Sequence, residues 1–166
     1  MPMHTAIFPG SFDPFTKGHL DILTRAVSLF DHVIIGVVRN PAKRNLFTSE
    51  ERVAIIREVA ASFGSQVSVE SFPGLLVEFA RLKGARVIVR GLRAVSDYEY
   101  EAQMALTNRH LAPNIETFFL MAREEVAYIS SSVVKQVASF GGDVSGLVPD
   151  LVYQRLTERF QAHPHD

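Results

Sequence analysis

The feature that most restricts this fold is a hydrophobic period that keeps switching along the chain. Five short runs, at 5–8, 32–38, 67–72, 86–89 and 116–121, are apolar and rich in β-branched or aromatic residues. Longer stretches between them space their apolar residues three and four apart, as one helix face requires. His32-Val33-Ile34-Ile35-Gly36-Val37-Val38 and Val87-Ile88-Val89 are almost unbroken hydrophobes, the pattern of strands covered on both faces. Leu20, Leu23, Val27 and Phe30 make the first helical stripe. In the second, Thr48 and Glu51 form a capping box, and Val53, Ile56, Val59 and Phe63 turn inward. Leu75, Leu76, Phe79 and Leu82 lead to a stop at Gly84, and Asp97 is placed to cap a helix that runs to Leu111 before Pro113. Helices over 130–140 and 150–160 complete the order βαβαβαβαβαα. That order specifies one α/β domain over 1–166: a doubly wound, five-stranded parallel sheet with helices on both faces. Residues 161–166 are expected to fray, and the histidines of that tail are too few for a metal site.

Composition limits the partners. The 166 residues are 47% hydrophobic and 21% charged, enough for one sizeable core. A formal net charge of -1 provides no global field for nucleic acid or an anionic membrane, so neither is expected as a partner. Any anion must be gripped locally. With no cysteine there is neither disulfide nor thiolate metal site. No apolar run approaches the ~20 residues of a membrane span, and the chain enters Ala6-Ile7-Phe8 without a basic leader. A cytoplasmic location is the expectation.

Doubly wound sheets bind ligands beyond the carboxyl ends of their strands. After the first strand come Pro9-Gly10-Ser11-Phe12-Asp13-Pro14-Phe15-Thr16-Lys17-Gly18-His19. Gly10 lets backbone approach an anion, Ser11 adds a hydroxyl, and helix-opening amides near Gly18 and His19 favour negative charge. His19 is placed either to donate to a phosphate oxygen or simply to cap its helix; spacing alone leaves both open. The segment resembles the first motif of the T/H-x-G-H nucleotidyltransferases, here Thr16-Lys17-Gly18-His19 behind Gly-Ser-Phe-Asp-Pro.

The other strand ends add cations and hydroxyls. Arg39, Lys43 and Arg44 lie in the loop after the second strand, where a charge run is more often just solvated. Leu75 and Leu76 follow the third strand, with at least one expected to pack inward. The fourth strand runs into Arg90-Gly91-Leu92-Arg93, whose guanidinium groups need anionic partners. Phosphate is the favoured partner, with Glu99 or Glu101 as the alternative or as the residue that orients one arginine. Ser130-Ser131-Ser132 open a helix with more hydroxyls than one cap needs, and Lys135 adds charge a turn later.

Arg90 to Glu101 together with Asn108-Arg109-His110-Leu111, and Ile129 to Lys135, resemble the phosphopantetheine adenylyltransferase family. The resemblance spans about residues 5 to 160 and implies a Rossmann-like fold. It departs from the family pattern at Ser11, where threonine is common, at Arg44-Asn45, and at Val126, often a large aromatic. It implies that ATP and 4′-phosphopantetheine give dephospho-coenzyme A and pyrophosphate, the penultimate step of coenzyme A synthesis, with coenzyme A a candidate feedback ligand. By matching positions, His19, Lys43, Ser11 and Arg93 act in catalysis. Ser11, Phe12, His19, Gly91, Leu92, Arg93, Glu101 and the stretch Val126, Ala127, Tyr128, Ile129, Ser130, Ser131 and Ser132 hold ATP. Ser11, Lys43, Leu76 and Arg90 hold the acceptor. Mg²⁺ would travel with ATP, no acidic cluster forming a protein metal site. A homohexamer of two trimers is implied as well. A nicotinate-mononucleotide adenylyltransferase or cytidylyltransferase is the nearest alternative, though those commonly carry histidine where this chain has Thr16. A non-catalytic nucleotide sensor is the alternative from another class.

Overall fold

The computed structural model describes residues 3–162. Its elements follow the expected order: β1 (Thr5–Gly10), α1 (Lys17–Leu29), β2 (His32–Arg39), α2 (Ser49–Val59), β3 (Val67–Pro73), α3 (Leu76–Leu82), β4 (Val87–Leu92), α4 (Val95–Leu111), β5 (Glu116–Met121), α5 (Ser131–Ser139) and α6 (Asp150–Ala162). The strands form a single parallel sheet in the order β3-β2-β1-β4-β5. The chain winds outward from β1 to one edge, then crosses back to build the other half.

Strand alternation divides the core in two. Ala6, Phe8, Val33, Ile35 and Val37 pack on one face with Ile22, Leu23 and Ala26 of α1, Ile56 of α2, Val134 of α5 and Leu156 of α6. Ile7, Ile34 and Ile88 point the other way, against Val77, Phe79 and Ala80 of α3. Gly36 is what lets Phe72 and Phe79 stack at 4.5 Å on that second face. A Cβ at Gly36 would lie 3.0 Å from the Phe72 ring and 3.1 Å from Phe79. Among the described residues no helix is long and apolar enough to cross a membrane.

Some expectations change in detail. β1 and β4 continue past their apolar runs, so Gly10 and Arg90 to Leu92 belong to the strands themselves. Asp97 does not cap α4. Ala94 stands at the cap without a side-chain bond, and the Asp97 carboxylate instead accepts from Arg93 N and Nε, both at 3.1 Å. Arg93, four residues back, offers the carboxylate a charged side-chain donor as well as a backbone N–H. Gln161 and Ala162, expected to fray, are helical; 163–166 lie outside the described residues. Val59 and Phe63 are only partly buried and pack at the core's margin, while Leu82 is exposed.

Candidate active site

Two clefts open at the carboxyl edge of the sheet, where β1 parts from β4. The first, about 290 Å³, is lined by Gly10, Ser11 and Phe12 of the first turn, by Thr16, Gly18 and His19, by Arg90, Gly91, Arg93 and Glu101, and by Val126 and Ile129 to Ser132. The second, about 380 Å³, lies on the other side of the same turn, between Val38, Phe72, Leu75 and Leu76 and the α4 residues Tyr100, Met104 and Asn108. The clefts share Pro9, Gly10, Ser11, Arg90 and Glu101.

The first turn is tightly built. Phe12 is buried with a φ of 50°, a left-handed conformation that costs a bulky residue energy and is tolerated where surroundings enforce it. Its ring lies 3.1 Å from where a Cβ on Gly10 would be, so any larger residue there would push the ring back from the strand end.

Thr16 then opens α1 with a capping box. Its hydroxyl accepts from His19 N at 3.3 Å, and its own N–H donates to His19 Nδ1 at 2.9 Å. The backbone N–H can only donate, so Nδ1 is the acceptor and the neutral ring carries its proton on Nε2. The ring packs edge-on to Phe12 at 4.9 Å, with Phe15 at 5.4 Å and Phe8 at 6.4 Å. Burial, reinforced by the charges of Arg90 and then Arg93, lowers the imidazole from its ordinary 6.5 to about 3. His19 does cap its helix, and the cap is what leaves a neutral Nε2–H donor at the cleft.

Both arginines already have protein partners. Glu101, 8% exposed, accepts from Arg90 Nε at 2.8 Å and Nη2 at 2.5 Å, a two-point pair, while Arg90 Nη1 donates to the Pro9 carbonyl at 2.7 Å. Arg93 pairs with Asp97 and donates from Nη1 to the Ile129 carbonyl at 2.8 Å. Carboxylates hold both forks, as expected of a residue that orients an arginine. Glu101 is the orienting residue, and Glu99 is exposed on α4.

The serine run divides its work. Ser130 caps α5, accepting from Val133 N at 3.2 Å; Ser131 Oγ donates to the Pro14 carbonyl at 2.7 Å; Ser132 stays at the cleft surface. Lys135 is a correction. Its ammonium lines neither cleft but pairs with Asp13 at 3.2 Å, since a buried carboxylate needs a compensating charge.

Other expected residues stand apart. Leu92 is buried and Tyr128 exposed, and neither these two nor Ala127 is among the cleft-lining residues. Lys43 sits on the exposed loop after β2 and lines neither cleft. Leu76 faces the second cleft and packs inward, whereas Leu75 is 55% exposed. Sequence reasoning missed Asp13 and Arg52, both buried behind the site. The one available signal was Arg52 itself, four residues before Ile56 on the inward stripe of α2.

The chain matches the cytidylyltransferase-like family over residues 7–137. It is 57% identical over 158 residues to a phosphopantetheine adenylyltransferase of Heliobacterium modesticaldum, covering 95% of this chain and 94% of that one. The corresponding protein of Alkaliphilus metalliredigens is 52% identical, over 95% of this chain and 99% of its own. Among solved structures, a bifunctional NMN adenylyltransferase/ADP ribose pyrophosphatase from Francisella tularensis shares the fold, with a TM-score of 0.73 at 18% identity over 98% of this chain. The chain spans 51% of that protein. With more than half its residues identical across almost the full length, on a cytidylyltransferase-like fold, the chain belongs to the phosphopantetheine adenylyltransferase family.

Proposed function

We propose that the chain transfers the adenylyl group of ATP to 4′-phosphopantetheine, forming dephospho-coenzyme A and pyrophosphate. One observation carries the reading beyond family membership: two clefts meet along Pro9, Gly10, Ser11 and Arg90. One is rich in backbone amides, hydroxyls and arginines, as a nucleotide needs. The other, with Val38, Phe72, Leu76 and Met104 against Asn108 and Thr117, suits a slender arm of methyl groups and amides.

The nucleophile is a phosphate monoester with a second pKa near ~6, already dianionic at neutral pH, so no general base is needed. An acceptor-phosphate oxygen bonds to the α-phosphorus; the bond from that phosphorus to the bridging oxygen breaks, and pyrophosphate leaves with the electron pair. What the protein supplies is alignment and charge stabilisation. His19 Nε2–H donates to an α-phosphate oxygen as charge develops. Ser11 and Lys43, the latter from its loop, hold the acceptor phosphate, and Arg90 and Leu76 hold the arm. Phe12, Gly91, Leu92, Arg93, Glu101 and Val126 to Ser132 form the nucleotide side. Mg²⁺ enters as part of the substrate, since Asp13, Asp97 and Glu101 are committed to Lys135, Arg93 and Arg90. Among the described residues no cluster of three or more His, Asp or Glu is arranged to hold a metal ion. A reaction that consumes ATP fits the cytoplasm, the location proposed for it. The hexamer is proposed from the family resemblance; exposed Tyr98, Tyr100 and Leu106 on α4 and Phe118 and Met121 on edge strand β5 support self-association as such.

Pyrophosphate release with ATP and each candidate acceptor tests the reading. Phosphopantetheine should yield dephospho-coenzyme A, and His19→Ala should lower kcat at least ~100-fold with ATP affinity within several-fold. A preference for a mononucleotide acceptor or for CTP rejects the assignment. Binding of both substrates without product would make the chain a nucleotide sensor.

A further inference from the structure

Behind the site lie two buried charges that line neither cleft. Arg52 is 3% exposed and Asp13 2%. Arg52 donates only to backbone carbonyls: from Nη1 to Ser11 at 2.6 Å and Val38 at 3.1 Å, and from Nε to Phe47 at 3.1 Å and Thr48 at 3.3 Å. One guanidinium thus joins the turn after β1, the end of β2 and the entry to α2. Asp13 works in the opposite direction. Its carboxylate accepts from Leu46 N at 2.8 Å and Phe47 N at 3.0 Å, and from Lys135 Nζ on α5 at 3.2 Å.

Burying a guanidinium is costly, and an apolar side chain would fill the space with less desolvation. Burial lowers the Arg52 pKa, while the negative charges of Asp13 and Glu50 oppose that shift. The arrangement makes sense if its product is geometry. Ser11 and Phe47 lie outside any helix or strand, so regular structure does not fix them. Arg52 holds both carbonyls and Asp13, two residues after Ser11, holds the Phe47 N–H, so the loop between β2 and α2 is fastened to the turn that carries Ser11.

We propose that Arg52 and Asp13 are positioning residues for adenylyl transfer, locking the Ser11 turn and the Lys43 loop into one unit that sets where the acceptor phosphate sits. The inference rests on the reaction proposed above. It also explains why Lys135, a turn beyond the serines, faces away from the cleft: it holds the third wall to the same carboxylate.

Arg52→Lys keeps the charge but loses the planar fork, and Asp13→Asn keeps the shape but loses charge and an acceptor. Two variants on opposite sides of the clamp guard against one that fails to fold. Amide hydrogen exchange, followed by mass spectrometry in the free protein, should rise in residues 40–47 of either variant and stay unchanged in α1. In turnover, kcat should fall at least ~10-fold and KM for phosphopantetheine rise, with KM for ATP within ~3-fold. Lys43→Ala should cost less in the Arg52→Lys background than alone, since a displaced lysine has little left to lose. Additive losses, or unchanged exchange over 40–47 in the active enzyme, would overturn the inference. Absence of dephospho-coenzyme A with the unsubstituted protein instead rejects the proposed reaction, and the exchange data still decide the clamp.

Discussion

His19 caps a helix and, in the reaction proposed, also stabilises charge. A cap that uses Nδ1 fixes the tautomer, and burial beside two arginines keeps the ring neutral. The sign of the pH effect follows. Between about pH 3 and 6.5 the unfolded chain binds a proton at His19 that the folded chain refuses. Stability from this residue is therefore complete above 6.5 and declines as pH falls through that window. Nitrogen-15 spectra of the imidazole should show a neutral, Nε2-protonated ring at pH 5, and a ring titrating near 6.5 would contradict the geometry. The acidic limb of the rate profile should then follow the acceptor phosphate rather than His19. Pattern alone could place His19 at a helix start but could not choose between its roles. Arg52 was harder to read. A charged residue on an inward stripe looks like a register error until the carbonyls that receive it are known, and those lie up to 41 residues away.

At the level of elements, the capping boxes deserve comparison. Thr48 and Glu51 exchange the usual pair of bonds at α2, whereas at α1 a histidine takes the glutamate's place. Thr48→Ala should cost about 1 kcal/mol in urea unfolding. Thr16→Ala should cost a similar amount and also depress kcat, because it loosens the hydroxyl contact with the His19 ring; equal kcat in both variants would separate the α1 cap from catalysis. The Thr48 cap and the strand cores were legible because side-chain chemistry and local backbone agree there. Strand ends were less so. Ladder bonds to a neighbouring strand extend β4 through Arg90 and Gly91 whatever their side chains prefer, pairing them with Phe119 and Leu120. Asp97 misled because two local partners competed for it, and Arg93 won.

For the whole molecule, the periodicity gave the number and type of layers but not the strand order, which depends on contacts between distant residues such as Ile7 and Ile88. Nor could it show that the apolar residues of α4 would remain exposed: of its described side chains only Glu101 is buried. On the proposed self-association, Leu106→Glu combined with Met121→Glu should shift the protein to a smaller species in sedimentation or light scattering, and an unchanged mass would reject this surface as the interface.

The position of β1 between β2 and β4 also bears on how the protein is made. Of the five strands, the first to be made belongs at the middle of the sheet, and one of its two neighbours, β4, follows only after β2, α2, β3 and α3. Ser11 and His19 emerge first, Arg90 and Arg93 much later, and Ser130 to Ser132 later still. Pairings this distant in sequence form slowly, since the intervening chain must be gathered first. Until α5 has been made, the nascent polypeptide therefore carries only part of the proposed site, and on that reading it holds nucleotide only once the serines have joined the first turn and the arginines.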